Sequence, residues 1–332
     1  MPQPRCAADP MSSSAARSSW NGQLPSGMNL TRYASQERRA VVPRVDREWQ
    51  QRTLRSAPLW ASVDLRDGNQ ALPVPMDIPR KLRLFEELVS LGFKDIEIGY
   101  PSSGETDFRF VRELIERDLV PSDVRIGVFT PARPELITRT LESVRGGRDV
   151  LIHLCNATAC LWRETVFGLS ASEMIDMAVE SARLIVRGAA DLPIGSVRFE
   201  YSPETFNVTE PEVALEVCNR VVEVFGATSG EPVIINLPTT VETDLPTVFA
   251  DQVEWMHTSL DRRDAVLLSV HTHNDRGTAV ASTELALLAG ADRVEGTLFG
   301  NGERTGNVCI PTVALNLLRS SRPSVPNDSG TA

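Results

Sequence analysis

Between residues 58 and 318, short apolar runs alternate without a break with amphipathic ones, and this rhythm sharply limits the folds open to the chain. The strand-like runs are Pro58–Asp64, Asp95–Tyr100, Val124–Phe129, Asp149–Asn156, Ser196–Ser202, Pro232–Leu237, Val266–His273 and Arg293–Leu298. Each precedes a segment with helical spacing of apolar residues: Ile78–Leu91, Thr106–Arg117, Pro134–Val144, Ser172–Val186, Glu210–Phe225, Thr247–Ser259, Thr278–Ala289 and Asn307–Leu318. Eight strands, each followed by a helix, within ~260 residues match a (β/α)8 (TIM) barrel in number, order and size. A doubly wound sheet usually has fewer strands and a glycine-rich phosphate turn after the first; here that turn is charged, Asp64-Leu65-Arg66-Asp67.

The barrel is expected over residues 58–319. Before it, residues 1–26 read as a polar, disordered tail, and 27–57 as a basic arm carrying Arg38, Arg39, Arg44, Arg47, Arg52 and Arg55. Residues 320–332, rich in Ser and Pro, read as a second disordered tail.

A barrel of this kind gathers its chemistry at the C-terminal ends of its strands. Side chains alternate along a strand, so His271 and His273, at the end of the seventh run, face the same way. The first run delivers a carboxylate, Asp67, and a fixed cation, Arg66. Two imidazoles and a carboxylate can hold one ion and leave positions open for substrate oxygens. With no thiolate at metal spacing, the donor set favours Mg²⁺ or Mn²⁺, with Zn²⁺ or Co²⁺ as possibilities. Arg66 beside such an ion would stabilise an oxyanion, although an arginine at a barrel lip also serves as a plain salt-bridge partner. Gly300-Asn301-Gly302-Glu303-Arg304-Thr305-Gly306-Asn307 is either a simple βα loop or a ligand loop. Asn307, expected at the start of the last helix, would cap it or offer its amide oxygen to the metal. Glu204 is a candidate for proton transfer or ligand positioning, and Cys155 and Cys160 read as packing residues.

A net charge of −10 removes general nucleic-acid binding, because no basic excess exists to neutralise phosphates. No apolar stretch reaches the ~18 residues that span a bilayer. Five scattered cysteines without a CxxC pair suit a reduced, cytoplasmic protein.

Taken together, Asp64–Gln70 (DLRDGNQ), Phe199–Glu204 (FEYSPE), Asn236–Pro238 (NLP), His271–Gly277 (HTHNDRG) and Gly300–Asn307 (GNGERTGN) resemble the α-isopropylmalate synthases, a family of the metal-dependent TIM-barrel acyltransferases and lyases. The resemblance covers residues ~30–318. It implies condensation of acetyl-CoA with 2-oxoisovalerate to 2-isopropylmalate and CoA, a step of leucine synthesis. By motif it assigns Asp67, His271 and His273 to the metal, with Asn307 as a further ligand or its neighbour. Arg66 would polarise the keto oxygen, and His153, Ser202, Glu204 and Thr240 would line the keto-acid pocket. It also implies a homodimer using the 27–57 arm. Long members carry a linker and a leucine-sensing regulatory domain after the barrel, which this chain is expected to lack. Sibling homocitrate or citramalate synthases, an acyl-CoA lyase, and a weakly active barrel that partners a full-length relative stay open at the level of sequence.

Overall fold

A computed structural model describes Val42 and residues 46–320. The expected tail at 1–26, most of the arm at 27–45 and residues 321–332 lie outside the described residues. Eight parallel strands close into a barrel in chain order: β1 (Leu59–Ser62), β2 (Asp95–Gly99), β3 (Arg125–Pro131), β4 (Asp149–Ala157), β5 (Ser196–Glu204), β6 (Val233–Thr239), β7 (Val266–Thr272) and β8 (Arg293–Gly296). Closure is made by β8 on β1, in register from Leu59↔Arg293 to Ser62↔Gly296. The outer ring is α1 (Ile78–Ser90), α2 (Glu105–Glu116), α3 (Pro134–Ser143), α4 (Ala171–Ala190), α5 (Pro211–Val224), α6 (Pro246–Ser259), α7 (Ala279–Leu288) and α8 (Ile310–Ser320).

Local chemistry starts these helices where the sequence suggests. The Asp77 side chain accepts the Arg80 N–H ahead of α1, and Ser170 with Glu173 forms a reciprocal capping box on α4. Proline opens α3, α5 and α6, where its missing N–H costs nothing. The strands are buried on both faces, β4 and β6 almost without exception, which accounts for their continuous apolar runs. β5 runs two residues beyond expectation, through Pro203, because its ladder with β4 persists to Ala157↔Glu204. The described end of the arm lies on α6: Trp49 is buried, its indole Nε1 donating to Asp251 at 3.0 Å, and Arg47 grips the same carboxylate with two nitrogens. No helix among the described residues is long and apolar enough to cross a membrane.

Candidate active site

The turn after β1 is a single π-helical turn, Asp64–Gly68, in which the Gly68 N–H reaches back to Val63 O at 3.1 Å. Such five-residue turns re-aim side chains, and this one separates its two aspartates. Asp64 faces outward from the mouth, accepting from Ser62 Oγ and the Leu298 N–H, and so ties the turn to the end of β8. Asp67 turns into the mouth beside Arg66. Underneath, the fully buried Lys81 of α1 donates to Leu65 O at 3.2 Å and pairs with Asp107, fixing the turn from behind.

From these positions the side chains of the mouth close a ring of hydrogen bonds. Arg66 Nε donates to Glu97 Oε1. Glu97 Oε2 lies 2.6 Å from His153 Nδ1, and His153 Nε2 lies 2.7 Å from Ser202 Oγ. Asn236 Nδ2 donates both to Ser202 Oγ and to Glu295 Oε2, at 3.0 Å each. Glu295 Oε2 is 3.0 Å from His271 Nδ1, and His271 Nε2 is 2.7 Å from Asn307 Oδ1. Asn307 Nδ2 donates to Asp67 Oδ2, and Arg66 Nη1 donates to Asp67 Oδ1 at 3.0 Å, which completes the ring. The guanidinium also stacks on Phe129, 4.8 Å from the ring centre. All of these polar residues are buried, and polar groups in a water-poor interior persist only when partnered in this way.

Within the ring, one ligand atom each from Asp67, His271 and His273 falls within 4.8 Å of the others, a span one divalent ion can bridge. The two imidazoles stack nearly parallel, centres 5.1 Å apart. The chemistry of the donor set fits a metal: a carboxylate, two nitrogens, and an amide oxygen (Asn307 Oδ1) directed at the same Nε2. Electrostatics divide the pair. Burial disfavours a charge on His271, yet the hydrogen bond to Glu295 and the charge of Asp67 outweigh it, and its pKa lies above the usual histidine value. His273 is buried next to His271 and faces the Arg304 guanidinium at 3.2 Å, and its pKa falls to about 3. Burial alone would lift Asp67, but Arg66 and both histidines hold it below the usual carboxylate range. Glu204 goes the other way: burial, helped by Glu303, lifts its carboxyl against the pull of Arg66.

One sequence expectation changes. Asn307 does not begin or cap the last helix, which starts at Ile310. It pairs with His273 in an isolated bridge, with its N–H on Gly300 O and the next N–H on Thr272 O. The glycines of the loop allow this approach. A Cβ at Gly306, where φ is +98°, would sit 1.8 Å from Gly300 O, and one at Gly302 would sit 2.2 Å from Asn307 Nδ2. The loop thus serves to press Asn307 against the donor set. Thr240 lies at the mouth, where its hydroxyl accepts the Thr205 N–H at 2.8 Å and keeps its own hydrogen to donate, while its carbonyl accepts from Arg304. Cys155 is a buried thiol 3.9 Å from Glu204, and the four described cysteines are all unpaired by disulfide.

The sequence reading missed the layer under the ring. Arg293 Nη1 donates to Glu295 Oε1 at 2.6 Å and to Ser269 Oγ at 3.0 Å, and lies 3.4 Å from Glu200 Oε1. Burial and the neighbouring Glu295 push the Glu200 carboxyl well above the usual carboxylate range, whereas Arg293 and His271 hold Glu295 well below it against its burial. Their alternation around Val294 puts Arg293 and Glu295 on one face of the strand, but in sequence that face is not distinguished from an exposed one.

Fold and site together define a (β/α)8 barrel with a candidate divalent-metal centre at its C-terminal mouth. A family model described as HMGL-like matches residues 57–328, and the chain belongs to that family. It is 55% identical over 304 residues to the 2-isopropylmalate synthase of Nocardia farcinica, covering 91% of this chain and 52% of that protein. With the 2-isopropylmalate synthase of Ralstonia nicotianae it shares 56% over 272 residues, 82% of this chain and 47% of the relative. The chain therefore spans about half the length of these relatives. Among solved structures, hydroxymethylglutaryl-CoA lyase from Pseudomonas aeruginosa superimposes with a TM-score of 0.63 at 18% identity, covering 80% of this chain and 86% of that one, a likeness of fold.

Proposed function

We propose that this barrel condenses acetyl-CoA with 2-oxoisovalerate, forming 2-isopropylmalate and CoA, and works as a homodimer in the cytoplasm. The observation that carries the reading is the convergence of Asp67, His271 and His273 beside a buried, doubly anchored Arg66. Identity above 50% to proteins named 2-isopropylmalate synthase supports the choice of substrates.

Asp67, His271 and His273, with Asn307 adjoining, would hold a divalent cation, Mg²⁺ or Mn²⁺ by donor type. When bound, such an ion acts as a Lewis acid toward the keto acid's oxygens. The residues of the chain do the rest. The methyl carbon of acetyl-CoA, giving its proton to a general base, attacks the keto carbon, and the carbonyl electron pair moves onto oxygen, which then takes up a proton to become the product's hydroxyl. Arg66, whose Nη2 is bonded to none of the described residues, stabilises that oxygen's charge and costs no reorganisation, since Glu97 and Asp67 already fix it. Glu204, with its raised carboxyl pKa, is suited to moving a proton at the mouth. His153 and Ser202 line the keto-acid side, their rotamers set by Glu97 and Asn236. Water then hydrolyses the thioester and releases CoA.

The test is thiol release by the purified chain with acetyl-CoA and a panel of 2-keto acids, with and without Mn²⁺ or Mg²⁺. Metal-dependent release greatest with 2-oxoisovalerate is expected. Release greatest with 2-oxoglutarate or pyruvate would replace the substrate, and none with any keto acid would overturn the reading.

A further inference from the structure

We infer that Glu295 is a positioning residue for the metal centre: it fixes which nitrogen of His271 is free to meet the ion. This rests on the metal reading above. It draws on a feature of the barrel floor that neither the motifs nor the comparisons assign.

Glu295 is almost completely buried in β8 and bonded on both sides. Its Oε1 is held by Arg293 Nη1 from below, and its Oε2 meets His271 Nδ1 and Asn236 Nδ2 from above. Arg293 Nη1 and Asn236 Nδ2 can only donate, so both Glu295 oxygens accept and His271 meets Oε2 with its Nδ1–H. Nε2 is then left to the side where Asp67 and Asn307 converge, with Asp67 Oδ2 at 3.9 Å and Asn307 Oδ1 at 2.7 Å. Arg293 is itself immobilised by Ser269 and by the carboxylates of Glu200 and Asp95. Ring orientation at the mouth is thus transmitted from the barrel floor through a guanidinium and a carboxylate. His273 is backed differently: its Nδ1 faces the guanidinium of Arg304, which Asp275 holds. The two histidines are therefore unequal ligands, one backed by a carboxylate and one by a guanidinium. A carboxylate behind a ligating imidazole raises its basicity and fixes its tautomer, and losing it typically costs 10–100-fold in metal affinity.

The experiment uses the whole chain and Mn²⁺ or Zn²⁺ alone. Calorimetry with Mn²⁺ on wild type, Glu295→Gln and Glu295→Asp is expected to give roughly 10–100-fold weaker binding in the Gln variant, with partial recovery in the Asp variant. Should Glu295→Gln leave Arg293 unbalanced and unfold the floor, the Arg293→Met/Glu295→Gln double variant keeps the net charge and is expected to show the same loss. The second readout is long-range ¹H–¹⁵N NMR of the Zn²⁺-loaded protein, tractable because the chain has only four histidines. Wild-type His271 is expected to be protonated at Nδ1, and the Gln variants to lose that single tautomer. Mn²⁺ affinity within about twofold of wild type, or an unchanged His271 tautomer in a weakened variant, overturns the inference. A wild-type chain that binds no metal overturns the metal-centre reading itself, which distinguishes the two failures.

Discussion

At the bottom of the barrel Arg125 bridges Asp95 and Asp149, at 3.2 and 3.1 Å, from the first residues of three adjacent strands. At the mouth Arg66 likewise bridges two carboxylates, Asp67 and Glu97. The groups are the same, but the outcomes differ. The bottom cluster is partly open to solvent and reaches the layer above through Asp95, 3.4 Å from Arg293 Nε, while Lys94 and Asp123 form a separate pair. A pocket of about 470 Å³ opens there, walled by Trp60, Phe93 and Ile310, but its charged residues already satisfy one another. At the mouth the same guanidinium–carboxylate unit is one link in a buried ring drawn from the ends of seven strands, and that ring directs the donors of Asp67, His271 and His273 to a common point. Pocket volume and convergence of donors are separate properties, and it is the convergence that marks the mouth.

The widest contrast is expected from Asp67→Asn set against Asp149→Asn. The first should abolish stoichiometric Mn²⁺ binding and lower turnover by roughly 10³-fold or more, since a Lewis acid contributes several kcal/mol to the barrier. The second should leave both within about twofold. Comparable losses from the two would mean that the ends of the barrel are not functionally distinct.

Glu204→Gln should lower kcat by about 10²–10⁴-fold if the carboxyl moves a proton, and its stability should reveal the buried charge. Because burial raises the folded-state pKa, the fold binds that proton more tightly than the unfolded chain does. The stability this confers is complete at low pH and is lost as pH rises through the folded pKa. Glutamine cannot ionise. The Tm of the metal-free variant should match wild type near about pH 4 and exceed it near about pH 8. Equal Tm values at both ends would show that the mouth does not strain this carboxylate.

The smallest effect belongs to Arg125→Met, which should cost about 1 kcal/mol in chemical denaturation and leave metal affinity unchanged. A measurable change in Mn²⁺ binding would mean that the bottom cluster communicates with the mouth, through Asp95 and Arg293.

The element order was legible because strands buried on both faces must be apolar throughout and helices on one face only, so periodicity separates them. Its misjudgement of the last helix, placed at Asn307 when it begins at Ile310, arose where glycines suspend the local rules. The ligand candidates were legible because Asp67, His271 and His273 end strands in a fold that gathers strand ends. Glu295, Arg293 and Glu200 were not, because in one dimension an Arg-x-Glu on a short strand looks like any exposed pair.

Sequence by itself therefore determined the barrel, the chain order of its parts and the chemical types available at its mouth, since these follow from local periodicity and from which residues end each strand. Only the tertiary structure decided which of two aspartates three residues apart turns inward, and which nitrogen of His271 is held by a carboxylate. It also decided that the Thr240 hydroxyl accepts the N–H of a neighbouring loop. These outcomes depend on contacts between residues as many as 240 positions apart, Asp67 and Asn307 among them, and on burial that makes each such contact obligatory once the barrel closes.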